Sequence, residues 1–270
     1  MSRRTLAPFG RRRATVREAR GIGAYDLLAC ENPGPAPRPG QFYMLAAAER
    51  WGGGAAERPF LPRALSHLRA PGDDLHFLLE DVGPGTRRLA ELHPGHELWL
   101  TGPLGRGFGP PGEGRRPLLV GGGIGVAPLA AWQDDLGATT GGTCTLLLGF
   151  RDAAHAAAAA LLRDPLVATD DGSVGHPGVV TELLVAELER DSGAVVYACG
   201  PPPMLEAVRA ICAERGAPAQ LAMESGMACG YGACFGCVVP TREGYVRLCV
   251  EGPVLDAGSL ESALVMGAGH

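Results

Sequence analysis

Four cysteines near the end of this 270-residue chain are spaced for chemistry. Cys229, Cys234 and Cys237 form a C-x4-C-x2-C run, and Cys249 follows twelve residues after the third. A two-iron cluster needs four thiolates converging on a small volume, and this is the ligand spacing of plant-type [2Fe–2S] sites. Gly230, Gly232 and Gly236 interleave the ligands. They give the loop the freedom to turn and let backbone N–H groups approach the sulfurs, which helps hold a reduced, more negative cluster. A structural zinc site also uses four cysteines, but typically as two C-x2-C knuckles. Only one such pair occurs here, so the spacing favours [2Fe–2S] over a zinc-stabilised module with no redox role.

A cluster that carries one electron needs a donor and an acceptor, and the rest of the chain supplies candidates. The length fits two or three domains, and 46% apolar residues can fill their cores. Net charge is −5 and no lysine occurs; Arg11-Arg12-Arg13 is the longest block of one sign, read as a solvated, frayed end rather than a nucleic-acid contact. No apolar run has the length of a membrane span, and no signal-peptide core follows the N-terminal arginines, so the expected compartment is the cytoplasm, with no membrane or nucleic acid as partner. Eight cysteines in such a chain point to metal or redox use rather than disulfides; Cys30, Cys144, Cys199 and Cys212 are scattered singly and read as buried thiols.

From about residue 14 to 112, short extended runs alternate with Pro-Gly turns, as at Pro39-Gly40 and Pro94-Gly95. That pattern predicts a small antiparallel barrel. Within it, Arg63-Ala-Leu-Ser66 places a guanidinium and a hydroxyl on an extended segment, where one can pair a phosphate and the other a ring or ribityl group; a solvated strand edge is the plainer reading. Gly83-Pro-Gly85-Thr86 enters a helical pattern whose first-turn amides can hold a pyrophosphate, with Thr86 as its cap; an ordinary capped helix is the alternative. Gly102-Pro-Leu-Gly105-Arg-Gly107-Phe108 permits a close approach or marks a linker, and Trp51 to Arg58 reads as a loop.

From residue 113 to 218 the pattern becomes strand–helix. Pro117 to Val120 runs into Gly121-Gly122-Gly123-Ile-Gly125 and then a helix from Leu129 to Leu136, an arrangement that presents helix amides to a diphosphate. Further strands at 143–150, 166–169 and 194–198 alternate with helices at 153–163, 180–190 and 205–215, predicting a parallel sheet with ligands at strand C-terminal ends. Gly121 to Gly125, Asp170-Asp171 and Cys199-Gly200 fall at such ends. Asp170 there can bond NAD ribose hydroxyls or simply form a turn; Cys199 can flank a nicotinamide or be a buried thiol. Histidines 67, 76, 93, 96 and 155 show no partnered constellation.

The motif order R-x-x-S, G-x-G-T, G-P-L-G-x-G-F, G-G-G-I-G-x-A-P and C-G-P-x-P-M resembles the ferredoxin–NADP+ reductase-like flavoproteins. With C-G-x-G-x-C-x-x-C and Cys249-Val-Glu-Gly-Pro added, the chain is similar from about Pro39 to Asp256 to the electron transfer subunit family of NAD-dependent dihydroorotate dehydrogenase B. The resemblance implies a multidomain β plus α/β fold: a flexible end at 1–13, an FAD-binding barrel at 14–112, an NAD-binding domain at 113–218 and a [2Fe–2S] domain at 219–270. It implies FAD contacts from Arg63, Ala64, Leu65 and Ser66, from Leu78, Leu79 and Glu80 through strand backbone, and from Gly85 and Thr86. NAD would meet Gly121, Gly122, Gly123, Gly125, Asp170, Cys199 and Gly200, and Cys229, Cys234, Cys237 and Cys249 would ligate the cluster. Ala64 stands where relatives often carry proline, and Glu80 where they often carry a basic or apolar residue. The implied partner is an FMN-containing catalytic subunit that oxidises dihydroorotate, in a heterotetramer of two of each, with electrons passing through the cluster and FAD to NAD+ in pyrimidine biosynthesis. No acid–base residue for dihydroorotate is expected here. Other flavin/iron–sulfur reductases share most of these motifs: ferredoxin:NADP oxidoreductase, sulfide dehydrogenase and oxygenase reductase components.

Overall fold

The computed structural model describes residues 10–52, 59–140 and 144–264; positions 53–58 of the loop after Trp51 and residue 143 lie outside them. Six strands close an antiparallel barrel in the order β1-β2-β5-β4-β3-β6: β1 Arg12–Ile22, β2 Tyr25–Glu31, β3 Phe42–Ala47, β4 Arg63–Arg69, β5 Asp74–Leu79 and β6 Glu97–Leu104. Alternation fills its interior with Val16, Leu28, Tyr43, Leu45, Phe77, Leu79 and Leu98, all nearly sealed from solvent. Each such side chain contributes about 1.5–3 kcal/mol when fully buried.

The arginine block is not frayed in full. Arg12 and Arg13 open β1, and the Arg12 guanidinium donates to the Gly102 carbonyl on β6. Arg11 and Arg13 both lie over the Trp99 ring, and Arg13 pairs with Glu97. Long arginine stems covering apolar surface make such a run compatible with a strand. The helix α1, Pro84–Ala90, crosses one barrel edge.

A seven-stranded sheet follows: β7 Pro117–Gly122, β8 Thr145–Phe150, β9 Leu166–Thr169, β10 His176–Pro177, β11 Val195–Cys199, β12 Ala219–Ala222 and β15 Val254–Asp256, in the order β10-β9-β8-β7-β11-β12-β15. All neighbours are parallel except β15, which runs antiparallel to β12. The crossovers are α2 Val126–Thr140, α4 Val180–Arg190 and α5 Pro202–Arg215. The alanine-rich stretch after Asp152 is a broken helix: α3 Ala153–Ala156 runs into a 3-10 turn at Ala157–Leu161. Between β12 and β15 the chain leaves the sheet, forms the cysteine loop and the hairpin β13 Val238–Thr241 with β14 Gly244–Arg247, and returns. A boundary at 218/219 therefore separates β12 from its own sheet; the strand pairing instead brackets the cysteine segment between Ala222 and Val254.

The helix α2 packs on both β7 and the barrel strand β4, so the two large units share a seam. Arg69 of β4 crosses it, donating to Asp134 Oδ2 at 2.7 Å and to the Leu161 carbonyl at 2.8 Å. Phe108, Trp132 and Tyr197 stack beside it, with ring centroids 5.3–5.8 Å apart; the glycine-rich run before Phe108 thus ends in a packed seam. Among the described residues, no helix is long and apolar enough to cross a membrane.

Candidate functional site

Barrel, sheet and cysteine segment meet at a cleft of about 370 Å³. Arg63, Ala64, Leu65 and Ser66 of β4 line one wall, with Leu78, Glu80 and Thr86 beside them. The Leu79 side chain points the other way, into the barrel core, as strand alternation requires. Arg63 lies flat against α1: a side chain on Gly85 would begin 2.2 Å from Arg63 Nε, so glycine is required for the guanidinium to pass. Burial lowers the Arg63 pKa, yet guanidinium stays charged. A cation stacked on the first turn of a helix, beside free backbone amides, is a donor set that fits a diphosphate. Thr86 does not cap α1 from its first position. It is the third helical residue, and its hydroxyl accepts from the Val82 and Gly83 amides at 3.0 and 3.1 Å.

The opposite wall carries Ile124, Gly125 and Pro128 from the glycine turn and Cys199 from the end of β11. Gly121 and Gly122 lie inside β7, where side chains would meet Leu148 and Leu129, or Met204; these two glycines answer to packing. Gly123 opens the following turn with φ 52, and Gly125 abuts the Cys199 carbonyl, where a Cβ would sit 2.3 Å away. Gly200 packs on Met204 and the Gly122 amide. Asp170 and Asp171 follow β9, which is separated from the Cys199 strand β11 by β8 and β7. Asp170 is exposed, and the Asp171 carboxylate accepts from both the amide and the hydroxyl of Ser173, which holds its pKa low. Glu80 finds a different use from the one its strand position implied: its Oε1 accepts from Arg151 at 2.7 Å and lies 3.5 Å from His155 Nε2, tying barrel to sheet.

Histidine partners, invisible in the sequence, are now clear. His155 pairs with Asp152 at 2.7 Å and stacks edge-on to Tyr25. His67 is buried against the Gln41 carbonyl at 3.1 Å, and desolvation lowers its pKa to about 4.

The connection Met223 to Met227 forms the cleft's third wall. The sequence motifs singled out no residue of this stretch. Burial raises the Glu224 pKa to about 6, and its charge adds to the desolvation that raises Cys199. Ser225 Oγ is buried with no hydrogen-bond partner. A carboxyl, a thiol and an orphan hydroxyl on this side of the cleft are what a polar ring edge or carboxamide would satisfy. The available signal was the pair Glu224-Ser225 standing alone between apolar neighbours.

Six residues past Met223 the same segment reaches Cys229. The four thiols form two pairs. Cys237 and Cys249 sulfurs lie 3.2 Å apart, and the Cys229 and Cys234 thiols are hydrogen-bonded to each other. Among the described residues no three His, Cys, Asp or Glu side chains group as they would around one metal ion. Two thiol pairs side by side suit a cluster with two iron atoms, each taking two thiolates, whereas zinc draws all four to one point. Burial opposes ionisation of Cys229, but the amides of Cys234, Tyr231 and Ala233 donate to its sulfur and bring its pKa down to about 7. The Cys249 thiol shifts the Cys237 pKa down to about 6, burial opposing. Amides aimed at sulfur are the donors an iron–sulfur cluster uses.

The turn freedom falls on Gly230 (φ 80) and Gly232 (φ 87), while the third left-handed residue is Phe235 (φ 59) rather than Gly236. Gly236 keeps space beside Cys234, whose sulfur would be 3.6 Å from an added Cβ. Arg247 staples the loop: it donates to the Gly232 carbonyl, lies over the Phe235 ring and pairs with Glu251 at 2.8 Å. Tyr231 and Phe235 are 58% and 62% exposed, and Cys234 is exposed beside them, whereas Met227 turns inward to the cleft. Cys229, Cys249 and Tyr231 also border a wider cavity of about 740 Å³ that reaches Met44, Trp51 and Trp99. Of the remaining thiols, Cys30 and Cys212 are buried and Cys144 half-buried.

Residues 224–261 match the family model described as the iron-sulfur cluster binding domain of dihydroorotate dehydrogenase B, and residues 119–210 match an oxidoreductase NAD-binding domain. The chain is 39% identical over 265 residues to the dihydroorotate dehydrogenase B (NAD(+)) electron transfer subunit of Geobacillus thermodenitrificans, covering 93% of this chain and 99% of that protein. The subunit of the same name from Bacillus caldolyticus is 40% identical over 268 residues, with the same coverage. In fold, the chain is similar to an NADH-dependent reduced ferredoxin-NADP oxidoreductase structure, with a TM-score of 0.77, 24% identity and coverage of 97% of this chain and 92% of that one. It is also similar to the ferredoxin reductase in carbazole 1,9a-dioxygenase, with a TM-score of 0.66, 26% identity and coverage of 77% and 66%.

Proposed function

This chain belongs to the family of dihydroorotate dehydrogenase B (NAD(+)) electron transfer subunits, and we propose that it receives electrons from an FMN-containing catalytic subunit that oxidises dihydroorotate to orotate, and delivers them to NAD+. It is an oxidoreductase subunit that uses FAD, a [2Fe–2S] cluster and NAD. The observation that carries the reading is the single segment from Met223 to Cys229, which walls the cleft at one end and supplies a thiol at the other. When bound, the flavin exchanges hydride for single electrons and the cluster carries them singly.

The chain's own residues divide that labour. Arg63 and the first turn of α1, including Gly85 and Thr86, hold the FAD diphosphate. The β4 edge from Ala64 to Ser66 and the Leu78–Glu80 backbone flank its ribityl and ring. Gly123, Gly125, Cys199 and Gly200 border the nicotinamide side, with Glu224 and Ser225 offering a proton-bearing carboxyl and a hydroxyl. Met223, Met227 and Ile124 keep water out. Asp170 stands at the adenosine end of the NAD site. Cys229 and Cys234 take one iron, and Cys237 and Cys249 the other. The catalytic subunit docks over exposed Cys234, Tyr231 and Phe235, two chains of each kind forming the complex.

Co-expression with an FMN-containing dihydroorotate dehydrogenase subunit tests this. The expected result is dihydroorotate-dependent NAD+ reduction that is lost in Cys234→Ala. A complex without that activity, alongside an isolated chain that reduces ferredoxin, would assign the chain to the ferredoxin-linked reductases instead.

A further inference from the structure

We propose that Met44 is a positioning residue: it is the stop against which Gly230 closes, and it thereby sets the separation between the flavin-binding strand and the cluster loop. The inference rests on the functional reading of β4 and of the cysteine loop given above.

Every residue of β3 is buried, but its two faces serve different neighbours. Tyr43, Leu45 and Ala47 fill the barrel. Phe42 and Met44 face outward and share one apolar cluster with Cys237, Cys249, Val239 and Leu248. Met44 lies directly opposite Ala64 of β4, and Phe42 directly opposite Ser66. Residues directly opposite in an antiparallel pair point to the same face. One sheet face therefore presents the cleft residues Ala64 and Ser66 on one strand and the cluster-facing Phe42 and Met44 on the next, strands about 4.8 Å apart.

Gly230 follows the ligand Cys229 and is buried at φ 80. A Cβ on it would lie 2.5 Å from Met44 Cγ, 2.8 Å from Met44 Sδ and 3.1 Å from Leu104 Cδ1. The loop backbone thus rests directly on the Met44 thioether, with no side chain between. The covalent tether through Met227 and Ala228 fixes how far the loop can travel, but not its pivot; the Met44 contact fixes the pivot. Electron tunnelling falls steeply with separation, so a side chain that holds the loop down controls the rate between the two centres without touching either.

The test uses the full chain purified with flavin and iron, mixed anaerobically with NADH. Hydride brings two electrons to the flavin, and the cluster takes one of them. Flavin and cluster bleaching are followed separately, and amide exchange is read across residues 228–237. Met44→Ala is expected to leave flavin bleaching at the parental rate, slow cluster bleaching, and raise exchange in 228–237 by about tenfold or more, as truncating a packed side chain loosens what rests on it. Met44→Leu, close in volume, is expected to restore both. Parental exchange and parental cluster bleaching in Met44→Ala would overturn the proposal. A parent chain with no flavin or iron would instead bring down the functional reading, and this proposal with it.

Discussion

The barrel meets its two neighbours in opposite ways. Toward the parallel sheet the seam is broad and polar at its edges: Arg69 reaches Asp134 and Leu161, Arg151 reaches Glu80, and three aromatic rings stack behind them. Toward the cysteine segment the contact is apolar, with Gly230 on Met44 and Leu104. The sheet shares an apolar core with the barrel, in which Tyr25, Leu27 and Leu68 pack with Leu119, Leu129 and Leu148. The cysteine segment contributes one two-stranded hairpin and a loop whose thiols need iron, so its order is expected to come from metal and from what it leans on. Rigidity is thus placed at the seam beside the cleft, and metal dependence at the cysteine segment.

The largest test of this contrast is Cys237→Ala. Iron content is expected to fall to near zero, with flavin retained and with residues 117–222 keeping parental amide-exchange protection; a joint loss of protection in the sheet would erase the distinction. Next, chelating the iron from the intact chain is expected to open protease cleavage between residues 229 and 250 while the barrel and sheet stay resistant. Equal resistance before and after chelation would show that packing alone orders the loop. On the other seam, Arg69→Ala is expected to cost about 1 kcal/mol, since it leaves the Leu161 carbonyl without its charged donor and Asp134 with Arg163 alone, and to lower Tm by a few degrees per kcal/mol. An unchanged Tm would mean the aromatic stack carries that seam alone.

The smallest effect concerns Glu224. Its folded pKa near 6 stands above the ordinary 4.5, so the native state binds more protons than the unfolded one between those values. Stability is then full below about pH 4.5 and falls as pH rises through 6, by about 1 kcal/mol after allowing for its partial exposure. His67, held near 4, contributes the opposite slope. The quantity to read is the difference between Glu224→Gln and its parent in thermal melts from pH 4 to 7, where the variant is expected to gain stability relative to the parent as pH rises. A flat difference curve would remove Glu224 from the buried wall of the cleft.

Much of this was legible because local pattern and tertiary structure agree. The helix over 180–190 and the strand over 166–169 fall where periodicity placed them. The cysteine spacing names a cluster because ligand geometry is carried by a short stretch of chain. What stayed hidden depends on distant partners. Nothing near Arg12 announces the Gly102 carbonyl ninety residues away, and nothing near Glu80 announces Arg151. Gly121 and Gly122 read as ligand-facing because a glycine turn looks alike whether the space it leaves is filled by a phosphate or by Leu148 and Met204. The edge strand β15 was missed because three residues carry too little pattern to register.

That short strand has a consequence for how the molecule is put together. Ala222 pairs with Val254 across an antiparallel step, and the Met223 amide donates to the Pro253 carbonyl at 2.9 Å. Topologically, everything from Met223 to Pro253 is the tip of a β-hairpin: the iron-binding module is an oversized turn. Such a turn is detachable in principle. Joining Ala222 to Val254 through an Asn-Gly dipeptide, the residue pair that tight hairpins favour, would leave a two-domain reductase with its sheet edge intact and no wire to the outside.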